Sequence, residues 1–233
     1  MEFLFDTANI ADIKKYGEIF PCTGITSNPS IIKAEGKIDF FPHFRKIRQL
    51  IGKERTLHIQ ILAEDCDSIL KEADLVFEHV DPEVYIKIPT TEEGLKAMRA
   101  LKKRDANVTA TAIYSKIQGF MAIACGVDFI APYCNRMENH NINPSEVIAA
   151  FAKMIDRQGS QTKIVAASFK NISQVNEAFM AGAQTVTLVP SLLHEVFSMA
   201  AIQKSVNDFR ADWEKSQGAS FAALAEADSL INA

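Results

Sequence analysis

Short runs of β-branched and apolar residues recur along the chain, separated by longer stretches whose apolar positions fall at helical spacing. The strand-like runs cover residues 2–6, 24–27, 56–61, 84–88, 107–112, 129–131, 163–167 and 185–188. The helical patterns cover 40–51, 67–78, 92–104, 115–125, 144–158 and 173–181. Strand and helix in alternation predict a parallel sheet with crossover helices. Eight strands close a (β/α)8 TIM barrel, so the fold class is α/β. Asn143 before Pro144 is a good N-cap followed by a proline at the first helical position, and Gly126 and Gly182 sit just past apolar helical runs. After the eighth unit, residues 200–215 place Ile202, Val206, Phe209 and Trp213 near helical spacing. This predicts an additional C-terminal helix, packed on the barrel or on a neighbouring subunit. No low-complexity segment or long linker interrupts the pattern, which predicts a single domain over 1–233.

The alternation also says which side chains point where. In Val84-Tyr85-Ile86-Lys87-Ile88-Pro89, period two puts Ile86 and Ile88 on one face and Lys87 on the other. If the isoleucines meet the helices, Lys87 points into the barrel. Desolvation there favours a neutral amine able to condense with a ketone; the alternative is a strand-end lysine reaching for water or a carboxylate. The same parity puts Gln60 and Thr111 on the inward face of their strands, while Asp6 ends the first strand and Asn28 follows the second. Polar groups thus recur at strand C-termini, where barrel enzymes build their sites.

Composition narrows the partners. A net charge of −4 and a pI near 5.8 provide no basic excess to attract nucleic acid or an anionic membrane. Residues 1–10 do not read as a secretory signal, and no segment is long and apolar enough for a bilayer. The four cysteines are scattered, as expected of reduced thiols in a cytoplasm. The five histidines lack metal-ligand spacing, and no glycine-rich phosphate loop is present. Neither a metal nor another cofactor is expected.

Six motifs then stand in order along nearly the whole chain. They are Asp6-Thr7, Thr26-Ser27-Asn28-Pro29-Ser30, Tyr85-Ile86-Lys87-Ile88-Pro89, Thr111-Ala112-Ile113-Tyr114, Ala131-Pro132-Tyr133-Cys134-Asn135-Arg136 and Ala166-Ala167-Ser168-Phe169-Lys170. Together they resemble the small transaldolases and fructose-6-phosphate aldolases. The resemblance implies a Schiff-base mechanism with a sugar-phosphate substrate, and a homo-oligomer, pentameric or decameric. By position, Lys87 resembles the Schiff-base lysine. Asp6 and Asn28, with Thr26 beside them, match residues that hold the donor hydroxyls and assist proton movement. Gln60, Thr111 and Tyr133 match the set that positions a catalytic water; Arg136 and Ser168 match the phosphate site, with Lys170 an added charge. Many transaldolases carry Glu and Phe where this chain has Gln60 and Tyr133, and the aldolases resemble it at both places. The resemblance therefore implies reversible cleavage of fructose 6-phosphate, with transaldolase activity or a sulfonated sugar as alternatives. A non-catalytic sugar-phosphate-binding barrel is the remaining reading.

Overall fold

The computed structural model describes residues 1–231. Its first half runs β1 (Glu2–Asp6), α1 (Ile10–Gly17), β2 (Gly24–Thr26), α2 (Pro29–Ala34), α3 (Phe40–Ile51), β3 (Thr56–Gln60), α4 (Cys66–His79), β4 (Tyr85–Pro89) and α5 (Glu92–Lys102). It continues with β5 (Val108–Ile113), α6 (Lys116–Ala124), β6 (Phe129–Pro132), α7 (Cys134–Glu138), α8 (Pro144–Gln158), β7 (Lys163–Ala166), α9 (Ile172–Met180) and β8 (Thr185–Leu188). Three helices end the chain: α10 (Pro190–Phe197), α11 (Ala200–Gln217) and α12 (Phe221–Ile231). The eight strands pair in sequence order, all parallel, and β8 returns to β1 through pairs such as Leu4 with Thr187, closing the barrel.

Alternation divides each strand between two cores. Ile25, Leu57, Ile59, Ile86 and Ile88 are fully buried, as are Phe44, Met98 and Phe151 on the surrounding helices. Each such side chain contributes roughly 1.5–3 kcal/mol by leaving water. Inside the barrel, Leu4, Phe129, Ala131 and Val165 pack together with Tyr85 against them. This inner apolar layer lies on the same strand faces that carry Asp6, Lys87 and Tyr133 further along.

The expected caps form. Asn143 Oδ1 accepts from the backbone of Ser145 and Glu146, and Gly126 and Gly182 take positive φ of 75° and 107°. Two close approaches on helices admit only glycine. At Gly94, in the first turn of α5, an added Cβ would run into the carbonyl oxygen of Pro89; at Gly119 in α6 it would strike the buried Phe151 ring.

Helices α1, α2 and α7 go beyond the sequence reading: α2 buries no side chain and α7 has five residues, too little for a period to show. The C-terminal pattern at 200–215 is the longer α11, and neither α10 nor α12 was anticipated. The chain divides into two compact units, Met1–Leu192 and the segment from Leu193 onward. Within the second, Gly218 ends α11 at φ 69°, and the Trp213 ring stacks on Phe221 at 4.4 Å while its Nε1 donates to Ala219 O.

Candidate active site

Lys87 is 2% exposed, and its Nζ donates to the carbonyl of Ser27 at 3.3 Å. It lines a cavity of about 290 Å³ with Asp6, Asn28, Tyr133, Arg136, Ser168 and Lys170. These residues come from five different strand ends and the loops beyond them, at the C-terminal mouth of the barrel.

Asp6 accepts a 2.6 Å hydrogen bond from Thr26 Oγ1, which lies 2.6 Å from Thr187 Oγ1. With the Thr26 proton directed to the carboxylate, Thr187 donates in turn to Thr26. Burial holds the Asp6 carboxyl above its ordinary range, against the opposing pull of Lys87's charge and the Thr26 hydrogen bond. Asn28 caps α2, its Oδ1 accepting from Ser30 N and Ile31 N. That leaves its amide donors for a ligand.

On the facing wall, Thr111 Oγ1 donates to the Tyr133 phenol at 2.9 Å. The Arg136 guanidinium lies over the Tyr133 ring, 4.8 Å from its centre, and Arg136 Nη1 donates to Tyr114 Oη at 3.2 Å. Ser168 reaches this wall because the loop after β7 is tied to the loop after β6: Ala167 N donates to Pro132 O, Cys134 N to Ala167 O and Asn135 N to Ser168 O. Ser168 itself has φ of 63°, a costly conformation for a residue with a side chain. Arg136 and Lys170 line the cavity together with Asp6 and Lys87, so its walls carry more positive than negative groups.

Gln60 is the register partner of Lys87, and its Oε1 is buried without a hydrogen bond among the described residues. It borders a separate apolar cleft with Phe40, Phe41 and Leu62 rather than the Lys87 cavity. Thr26 and Thr111 reach the cavity through Asp6 and Tyr133. Beneath the site, fully buried His58 hydrogen-bonds Thr109 at 2.8 Å and Thr56 at 2.9 Å. Burial pushes its pKa down to about 3, with the charges of Lys87 and Arg48 adding to the effect. Among the described residues, no three His, Cys, Asp or Glu side chains gather in a way that could hold a metal ion.

Residues 3–232 match the family described as Transaldolase/Fructose-6-phosphate aldolase. The chain belongs to the transaldolase/fructose-6-phosphate aldolase family. It is also 49% identical over 213 residues to a probable fructose-6-phosphate aldolase of Streptococcus pneumoniae (strain ATCC 700669 / Spain 23F-1), an alignment covering 91% of this chain and 96% of the relative. This transaldolase/fructose-6-phosphate aldolase family member is thus an aldolase or a transaldolase with the TIM-barrel fold.

Two residues of the site were not singled out from the sequence. Thr187 was legible, since Thr185 and Thr187 alternate with Val186 and Leu188 just as Lys87 does with its isoleucines. Tyr114 stands in one of the six motifs but was given no role there, and strict alternation puts it on the wrong face. None of the described helices is long and apolar enough to cross a membrane.

Proposed function

We propose that this enzyme reversibly cleaves fructose 6-phosphate to dihydroxyacetone and glyceraldehyde 3-phosphate through a Schiff base on Lys87. The observation that carries the reading is the direction of the Thr111–Tyr133 hydrogen bond: the phenol oxygen accepts from Thr111, so its own O–H is free to donate into the cavity that Lys87 enters.

The neutral Lys87 amine attacks the ketone carbon, and loss of water from the carbinolamine yields an iminium. Removing the proton of the C4 hydroxyl lets the C3–C4 bond break, and its electron pair passes into the iminium to form an enamine. Glyceraldehyde 3-phosphate leaves. A proton delivered to the enamine carbon and attack of water then release dihydroxyacetone and the free lysine. Asp6, which lines the same cavity and feels the charge of Lys87, acts in the proton transfers, and Asn28 binds donor hydroxyls. Thr111 and Tyr133 hold and activate water, and Gln60, the register partner of Lys87, is assigned to the same set by its place in the family's pattern. Arg136 and Ser168 take the phosphate, since a guanidinium supplies paired donors and a hydroxyl a neutral one, with Lys170 adding charge.

Transfer of the dihydroxyacetone unit to an aldose such as erythrose 4-phosphate is the second reading, supported by the family. Tyr133 favours cleavage because a proton donor at the enamine ends the reaction without an acceptor. Borohydride trapping with fructose 6-phosphate, followed by peptide mass spectrometry, should find the reduced adduct on Lys87. Turnover should proceed without acceptor; strict dependence on erythrose 4-phosphate would assign the transferase instead. We further propose one functional domain over 1–233 acting in the cytoplasm as a homo-oligomer, a state that light scattering reads directly.

A further inference from the structure

Tyr114 stands on the same side as Thr111, although the two are three residues apart and a regular strand would point them to opposite faces. Strand β5 is not regular. Its register with β6 shifts between Ala110 and Ile113, and Ala112, inside that shift, has φ of 55°. A bulge of this kind re-aims the side chains that follow it. Past it, the Tyr114 ring meets the Tyr133 ring edge-on, with centroids 5.9 Å apart at 71°, and its hydroxyl accepts from Arg136 Nη1 at 3.2 Å. The backbone of Tyr114 is fixed as well: its N–H donates to Gln118 Oε1, the residue that completes the capping box of α6.

Arg136 needs such support. It stands on a five-residue helix, and an arginine side chain samples many rotamers when nothing holds it. Here the guanidinium lies with one face on Tyr133 and one nitrogen on Tyr114, while its remaining N–H groups are available to the cavity that Arg136 lines. Tyr114 does not line that cavity. It touches the arginine from outside, and so acts on the substrate only through Arg136.

We propose that Tyr114 is a positioning residue that aims Arg136 at the anionic end of the substrate and thereby sets the preference for phosphorylated over unphosphorylated aldehydes. The proposal rests on the reading that Arg136 binds the phosphate. The bulge in β5 is the device that makes it possible, because it delivers from one strand both the hydroxyl that orders Tyr133 and the hydroxyl that orders Arg136.

The test is steady-state addition of dihydroxyacetone to glyceraldehyde 3-phosphate and, separately, to glyceraldehyde, with the wild type, Tyr114→Phe, Arg136→Ala and the double variant. Removing one hydrogen bond to a charged group is worth about tenfold in affinity. Tyr114→Phe should therefore raise KM for glyceraldehyde 3-phosphate about tenfold with kcat within about twofold, while kcat/KM for glyceraldehyde moves less than about twofold. The double variant should be no worse than Arg136→Ala on the phosphorylated aldehyde, since both changes remove the same interaction. An equal fall on both aldehydes, or fully additive losses in the double variant, overturns the proposal. So does an unchanged preference in Tyr114→Phe when Arg136→Ala has lost it, and in that case the phosphate reading stands. If Arg136→Ala also keeps the preference, the phosphate reading falls and takes the proposal with it. Should Tyr114→Phe not yield folded protein, Tyr114→Met, which keeps bulk and likewise lacks the hydroxyl acceptor, gives the same comparison.

Discussion

Thr111 donates to Tyr133 and receives nothing from it, so the two hydroxyls form a one-way relay whose open end faces the Lys87 cavity. Replacing Tyr133 with Phe keeps the ring under Arg136 and removes the open end. Cleavage of fructose 6-phosphate should fall about 100-fold in kcat, the usual scale of a lost proton-transfer group. The borohydride-trapped adduct on Lys87 should persist, because imine formation precedes the lost step. Undiminished cleavage by Tyr133→Phe would remove this phenol from the chemistry.

Asp6 is held above its ordinary pKa, chiefly by burial. A carboxyl whose folded-state pKa is raised contributes stability below its unfolded value near 3.8, and that contribution is lost as pH rises through the folded value. Once pH has risen through the folded value, the ionised side chain is a net cost to the fold. Asp6→Asn should raise Tm at pH 7 to 8 while lowering kcat about 100-fold. A lower Tm would mean that the attraction of Lys87 outweighs the desolvation.

His58 behaves in the opposite sense. Its folded-state pKa is about 3 against 6.5 for the free side chain, so the unfolded chain binds the extra proton in between. Stability conferred by the neutral imidazole is present above pH 6.5 and drains away towards pH 3, at up to about 1.4 kcal/mol per pH unit. His58→Phe should flatten the fall in Tm across that window. At pH 7.5 it should be the less stable protein, having left Thr56 and Thr109 without their partner. Parallel curves for the two proteins from pH 7 to 4 would contradict the assignment.

Cys134 adjoins Tyr133 in sequence, yet burial pushes its thiol up to about 12, with Glu138 adding to the effect. Such a thiol is a poor nucleophile at ordinary pH. Iodoacetamide at pH 8 should leave Cys134 unmodified in the native enzyme and alkylate it in urea, as peptide mapping would report.

The parts of this protein that repeat were legible in its sequence. Period-two alternation placed Lys87 between Ile86 and Ile88, and the structure buries both isoleucines and turns the lysine into the barrel mouth. Asn143-Pro144 announced α8, but Asn28-Pro29 carries the same signature and α2 was not read, because its six residues bury nothing and leave no apolar stripe. Tyr114 was illegible for a different reason: alternation holds only where φ stays extended, and Ala112 breaks it with no glycine to mark the place. Parity gave the face of Gln60 and could not say that it would border a cleft bounded by Phe40 and Phe41, since that depends on how α2 and α3 pack.

Gly94 sets a boundary on how this enzyme can be diversified. It lies seven positions after Lys87 and lines neither the lysine's cavity nor the neighbouring cleft, so a library built around contacts to the sugar would leave it free to vary. Yet any side chain there must displace the carbonyl at the end of β4, the strand on which the nucleophile is mounted. Variants at this helix position would be discarded in a screen as inactive, and their sequences would falsely suggest a residue that meets the substrate.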